Sequence, residues 1–190
     1  METRERILRS AWTLLEAGQG SSVRMSDIAK DANISRQAVY LHFPTRADLL
    51  ISTTRYLDEV KDVDGRLAAS RAATTGVDRL SKFIEAWGNH IPEIYGVAKA
   101  LLAMKDTDAE AAAAWDDRMQ AVRHGCEAAV QALKKDGTLS SDYAPKQATD
   151  VLWTMLSVPN WVQLTRDCGW SQKRYIETTQ RMAARILVRQ

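Results

Sequence analysis

The chain has 190 residues, 45% of them hydrophobic and 26% charged, enough to bury one large core or two small ones. Its formal net charge of +2 and pI near 8.6 neither demand nor exclude an anionic partner, so the local placement of charge has to decide. No apolar run approaches the roughly 18 residues needed to cross a bilayer, and the opening METRERILRSAWTLLEAG interleaves charge with apolar residues, so a cytoplasmic protein with no membrane partner is expected.

Apolar residues recur at helical spacing almost throughout, and only four prolines (Pro44, Pro92, Pro145, Pro159) interrupt the pattern, so the fold class is all-α with about nine helices. A first helix is predicted from Thr3 to Ala17 with Ile7, Ala11, Leu14 and Leu15 on one face. Gly18 stands where a left-handed C-terminal cap belongs, and GQGSS makes a loop. A second helix, MSDIAKDA, buries Ile28, Ala29 and Ala32. Asn33 then tolerates a left-handed turn before Ser35 caps a third, and Ala29 is small enough for two helices crossing steeply over a tight turn.

That third helix carries the most specific signal. With Val39 taken as the buried direction, a turn of 100° per residue brings Ser35 and Phe43 to the same side and sends Gln37, Ala38, Tyr40 and Leu41 to the other. A short helix that displays a glutamine, an alanine, a tyrosine and a leucine has the form of a recognition helix in a DNA major groove. Gln can pair with adenine, Ala and Leu can touch thymine methyls, and Tyr can reach a phosphate. Arg36 adds to this, because a cation in the first helical turn opposes the macrodipole by a few tenths of a kcal/mol, a cost that a phosphate or guanine would offset. Bulk charge contributes little: residues 1–48 hold seven Lys/Arg against six Asp/Glu.

Thr45, after Pro44, caps a fourth helix through RADLLISTTRYLDEV. Residues 62–75, DVDGRLAASRAATT, are small and polar, and the domain boundary is expected there, giving domains 1–61 and 62–190. Beyond it, Val77, Leu80, Ile84, Trp87 and Ile91 stripe one helix, Pro92 is expected to open another, and a long alanine-rich helix ends at Gly137. Two more follow, YAPKQATDVLWTMLSVPNWVQLTRDCG with a kink expected at Pro159, and SQKRYIETTQRMAARILV capped by Ser171. Cys126 and Cys168 are expected as buried free thiols. No metal or cofactor is expected, since His124 and Cys126 lie two apart and point to different helix faces.

The stretch DIAKDANISRQAVYLHFPTRADLL resembles the N-terminal signature of TetR-type (tetracycline-repressor-like) transcriptional regulators. The likeness rests on Ile28-Ala29, the turn, Ser35, Val39-Tyr40, His42-Phe43, Arg46 and Leu49, and covers roughly the first 50 residues. It implies a helix-turn-helix DNA-binding domain, with linking helix, in residues 1–61. In such a domain Arg36, Gln37, Ala38 and Leu41 face base edges while Tyr40, His42 and Arg46 hold the backbone. Three positions depart from the family pattern: Asn33 replaces the usual turn glycine, Arg46 the usual lysine, and Arg24 the usual capping threonine, which leaves open whether Arg24 or Ser26 makes the backbone contact at the second helix.

The resemblance further implies that residues 62–190 bind a small-molecule effector and form a homodimer through the last two helices, so that a repressor is released from a double-stranded DNA operator. Trp87, Tyr95, Met104, Trp115, Met119, Trp153, Met155 and Trp161 would supply an apolar lining if they converge, although tryptophans at helical spacing are more often plain core. For the dimer, Ile176, Met182 and Ile186 are the candidates on one helix, and Leu156 and Val162 on the other. Two alternatives are an activator or architectural DNA-binding factor without a ligand, and an enzyme docked by its helix-turn-helix. An enzyme is not expected, because no nucleophile–base spacing, phosphate loop or HExxH-like pair is present.

Overall fold

The computed structural model describes residues 2–18 and 23–189. Among the described residues ten α-helices and one π-helical turn follow in order: α1 Thr3–Ala17, α2 Met25–Asp31, α3 Arg36–His42, α4 Arg46–Val60, α5 Val63–Arg71, α6 Gly76–Met104, α7 Ala109–Lys135, α8 Pro145–Met155, α9 Val158–Val162, the π turn Gln163–Asp167, and α10 Gln172–Leu187. The chain gathers into two compact units, one of residues 1–61 with 94–119 and the other of residues 62–93 with 120–190. Helices α6 and α7 contribute to both.

In the first unit α1 packs on α2 and α4, and α2 on α3. Ile7, Leu8, Ala11, Leu15, Ile28, Ala29, Val39, Phe43, Leu49, Leu50 and Leu57 form its buried layer, each large side chain contributing roughly 1.5–3 kcal/mol. Asn33 takes φ 51° in the turn between α2 and α3, as its tolerance of the left-handed region allows. The side chains of Ser35 and Thr45 accept the N–H groups of Ala38 and Asp48 and so start α3 and α4. Gly18, by contrast, sits at φ −75° in the right-handed region, so α1 ends without the left-handed cap expected of it. The rest of the expected GQGSS loop lies outside the described residues.

In the second unit a core of Leu80, Phe83, Ile84, Cys126, Ala129, Val130, Leu133, Ala148, Leu152, Leu156, Ala183 and Leu187 joins α6, α7, α8 and α10. An isolated antiparallel bridge between Leu139 and Val188 ties down the C-terminal end of α10. Gly88 lets α6 and α10 approach closely, since a Cβ there would lie 2.7 Å from Ile176 Cγ1. Gln172 secures the same crossing by donating from Nε2 to the Gly88 carbonyl and accepting the Trp161 indole N–H at 2.9 Å.

Several expectations are corrected. Pro92 does not open a helix but lies inside the 29-residue α6. Its ring is on the exposed side, where the missing N–H and the steric bend are best tolerated, while Ile91 and Val97 bury on the other side and hold the helix together. Composition gave no sign of α5, which Asp62 opens at φ 51° by accepting the Gly65 N–H. The helix expected to kink at Pro159 is interrupted: α8 stops at Met155, and α9 restarts with Ser157 as cap and Pro159 in its first turn, where a proline costs no hydrogen bond. Cys126 is buried as expected, but Cys168 is exposed after the π turn. Leu156 and Ile176, candidates for a dimer surface, belong to the protomer's own core at 0% and 8% exposure.

Candidate nucleic-acid interface

Each side chain expected at a DNA surface belongs to the first unit, on α2 or α3, at their N-caps, or at the start of α4. Val39 is fully buried and Phe43 nearly so, which fixes the rotation of α3. Arg36, Gln37, Tyr40, Leu41 and His42 are consequently exposed, Leu41 to 81%. Ala38 is only half-buried, at the edge of the displayed face. Ser35 was expected on the buried side with Val39, but it is exposed and spends its hydroxyl on the cap. An apolar side chain as large as Leu41, held on seven helical residues with nothing folded over it, has no role in this core.

Arg36 donates to the Tyr40 hydroxyl at 3.3 Å and holds its guanidinium carbon 5.5 Å from the centre of that ring, and the bond raises the guanidinium's affinity for its proton. At the far end of α3 the exposed Arg4 lies over the Phe43 ring at 5.2 Å. Arg24 and Ser26 are both exposed at the start of α2. Arg24 is its N-cap residue and donates its backbone N–H to Asp27, so both of the alternatives for this position remain in place.

Arg46 differs from expectation. Its side chain is 11% exposed and turned inward, with Nε donating to the Val23 carbonyl at 2.6 Å and the guanidinium paired with Asp108 at 2.9 Å and Glu110 at 3.3 Å. In this arrangement it holds two carboxylates at the α6–α7 turn, so its guanidinium is not presented to a DNA backbone. Burial alone would raise the Asp108 carboxyl, but the Ala111 N–H, the Arg46 guanidinium and the Glu110 N–H outweigh it and hold the group below its ordinary value. These residues wall a cleft of about 950 Å³ lined by Arg24, Ser26, Arg36, Tyr40, Arg46 and, from the α6–α7 turn, Thr107, Asp108 and Glu110. Sequence reasoning missed the contribution of that turn, because Asp108 and Glu110 lie 62 and 64 positions from Arg46 and carry no local signal.

The eight residues expected to line an effector site do not share one unit. Tyr95, Met104, Trp115 and Met119 belong to the first, and Trp87, Trp153, Met155 and Trp161 to the second. Met104 borders the cleft beside Arg46. Trp115 and Met119 are buried, and Trp87, Trp153 and Met155 pack half-buried against the second unit's core. Two of the tryptophans hold the fold together through their N–H groups: Trp87 donates to the Leu156 carbonyl at 2.7 Å and Trp161 to Gln172. Among the described residues no helix is long and apolar enough to cross a membrane, and no group of His, Cys, Asp and Glu could hold a metal ion.

Residues 7–53 match the family described as bacterial regulatory proteins, tetR family. The chain is 29% identical over 119 residues, 60% of its length, to the HTH-type transcriptional regulator EthR of Mycobacterium tuberculosis, and spans about half (53%) of that relative. Among solved structures it resembles a protein described as a transcriptional regulator from Saccharomonospora viridis in complex with choline (TM-score 0.74, 19% identity, 98% of both chains). Another is native NalD, the secondary repressor of the MexAB-OprM multidrug efflux pump in Pseudomonas aeruginosa (TM-score 0.70, 19% identity, 98% of this chain and 97% of that one). The match to the tetR family thus covers the helix-turn-helix in residues 7–53, and the all-α fold is shared with these solved structures over nearly the whole chain.

Proposed function

We propose that this chain is a sequence-specific DNA-binding transcriptional regulator of the cytoplasm, a homodimeric repressor that a small apolar effector releases from its operator. Residues 1–61 bind DNA and residues 62–190 bind the effector and dimerise. The observation that carries this is the display on α3: Arg36, Gln37, Tyr40 and Leu41 are exposed on a helix whose opposite face is pinned by Val39 and Phe43. Arg36, Gln37, Ala38 and Leu41 face base edges, Tyr40 and His42 hold the backbone, and Arg24 or Ser26 adds a backbone contact at α2. The similarity to the regulator EthR supports transcriptional control, that to NalD supports repression, and the choline complex of the Saccharomonospora viridis protein supports a small-molecule effector.

Selection of duplexes from random sequence by the full-length protein tests the proposal. An inverted repeat is expected, with half-sites one helical turn or somewhat more apart (about 34–36 Å between recognition helices). Gln37→Ala should shift the preference at particular base pairs, and a variant that binds every operator variant as the parent does would remove the base-reading role. For the effector, tryptophan fluorescence and operator affinity should respond to one compound over one concentration range, with affinity changing about 5- to 150-fold. A compound that saturates the fluorescence change and leaves operator affinity untouched would favour an architectural factor.

A further inference from the structure

The inward-turned Arg46 is a residue out of place for a protein that reads DNA. It stands in the first turn of α4, lines the same cleft as Arg24, Ser26, Arg36 and Tyr40, and has a guanidinium fork suited to carboxylate and phosphate alike. Yet that fork is held by Asp108 and Glu110, and Glu110 also accepts the Ala47 N–H at 3.3 Å, so one carboxylate takes both a backbone donor and a side-chain donor at the start of α4. Those are the contacts a DNA phosphate would make there. Both acids come from the α6–α7 turn and the first residues of α7, away from the reading helix in sequence but on the wall of its cleft.

We infer that Asp108 and Glu110 are an intramolecular competitor for the DNA backbone: they clasp Arg46 in the free protein, and the clasp opens when Arg46 exchanges its carboxylates for a phosphate. The α6–α7 turn thereby sets operator affinity, and any movement of that turn toward or away from α4 tunes it. This rests on the DNA-binding function proposed above. It adds an autoinhibitory contact whose members lie outside the reading helix.

The full-length protein is assayed against a duplex recovered by selection and against a shuffled duplex, over a range of salt concentrations. Glu110→Gln, whose side chain is 43% exposed, and the double variant Asp108→Asn/Glu110→Gln keep the acceptors that cap α7 while weakening the hold on Arg46. Both duplexes should bind about 3- to 10-fold tighter to the double variant, and the slope of log affinity against log salt should steepen by about 0.9, the signature of one more phosphate contact. Arg46→Ala combined with the double variant should erase both changes. If the gain survives without Arg46, it is a through-space effect of two lost negative charges and the clasp is refuted. Asp106→Asn, a charge removed from the same turn without touching Arg46, measures that through-space effect directly. A parent that binds its selected duplex while the variants match it in affinity and slope overturns the inference alone. A parent that enriches no duplex at all overturns the DNA-binding function with it.

Discussion

Arg36 and Tyr40, one turn apart on α3, hold each other: the guanidinium donates to the phenol oxygen at 3.3 Å and lies 5.5 Å from the ring centre. The bond fills an acceptor site on Tyr40 and leaves its own O–H to donate. In the proposed DNA complex that O–H would donate to a backbone oxygen, from a side chain already restrained and so at little further cost in rotamer entropy. Tyr40→Phe should weaken binding to selected and shuffled duplexes alike by about 0.5–1.5 kcal/mol, with no change in base preference. Arg36→Ala should relax preference at one base pair by about 1–3 kcal/mol. Binding titrations against single-base operator variants separate the two, and identical preference profiles for parent and Arg36→Ala would put Arg36 on the backbone instead.

The cap on α3 is a second target. Ser35 Oγ accepts the Ala38 N–H at 3.1 Å, satisfying one of the donors that a helix N-terminus leaves open. Ser35→Ala should lower stability by about 1 kcal/mol and Ser35→Asp should retain it. Thermal unfolding followed by circular dichroism reads both, and an unchanged midpoint for Ser35→Ala would mean that packing alone holds α3.

The helix-turn-helix was legible because its determinants are local: Asn33, Ser35, Val39 and Phe43 lie within eleven residues, and each acts through backbone conformation, a cap or helical spacing. The inward fold of Arg46 was not, since its partners are far along the chain and a surface cation looks the same in sequence whether it faces water or two acids. Pro92 misled for a related reason, because a proline's effect inside a helix depends on which side its ring faces. Leu156 and Ile176 read as surplus apolar residues, yet the break at Ser157 and the close crossing at Gly88 draw them into the core. The same three-dimensional facts divided the tryptophans: helical spacing cannot tell an indole that donates to a carbonyl from one that lines a cavity.

Trp87 supplies the third prediction. Its N–H donates to Leu156, the residue that ends α8, at 2.7 Å, so it braces the break between α8 and α9. Trp87→Phe keeps most of the apolar contact but leaves that carbonyl without its donor, which should cost about 1–3 kcal/mol. Urea unfolding measures it, and a loss below 0.5 kcal/mol, the ordinary scatter for surface changes, would show that the bond does not brace the break.

The two thiols should behave differently. Burial pushes Cys126 up to about 12 and Tyr175 likewise to about 12, whereas Cys168 is exposed. An aromatic disulfide reagent at mildly alkaline pH should therefore titrate one thiol in the native protein and two after denaturation. The effect on stability has a definite sign. Both groups are neutral in either state below about 9, the ordinary value of the thiol; above it the unfolded chain ionises while the folded one cannot, so stability is lost as pH rises from about 9 towards 12. Stability that stays flat across that window would show that neither group remains neutral.

The proposed dimer surface yields the last prediction. With Leu156 and Ile176 taken up internally, the residues of the last helices that retain apolar exposure include Met182, 47% exposed, and Ile186 and Val162, both half-buried. Met182 and Ile186 stand one turn apart on α10, bordering the stripe of Tyr175, Thr179, Ala183 and Leu187 that faces inward. An apolar pair in that position extends the protomer's own core outward, so a second copy could continue the packing without displacing anything already folded. A stable interface there should bury more than about 1,000 Å² in total. Met182→Lys/Ile186→Glu should shift the mass at micromolar concentration from dimer to monomer in sedimentation equilibrium. It should also lower affinity for an inverted repeat far more than for a single half-site, while the buried stripe of α10 keeps the protomer folded. A variant that remains dimeric and binds the repeat as the parent does would move the interface to another face of the molecule.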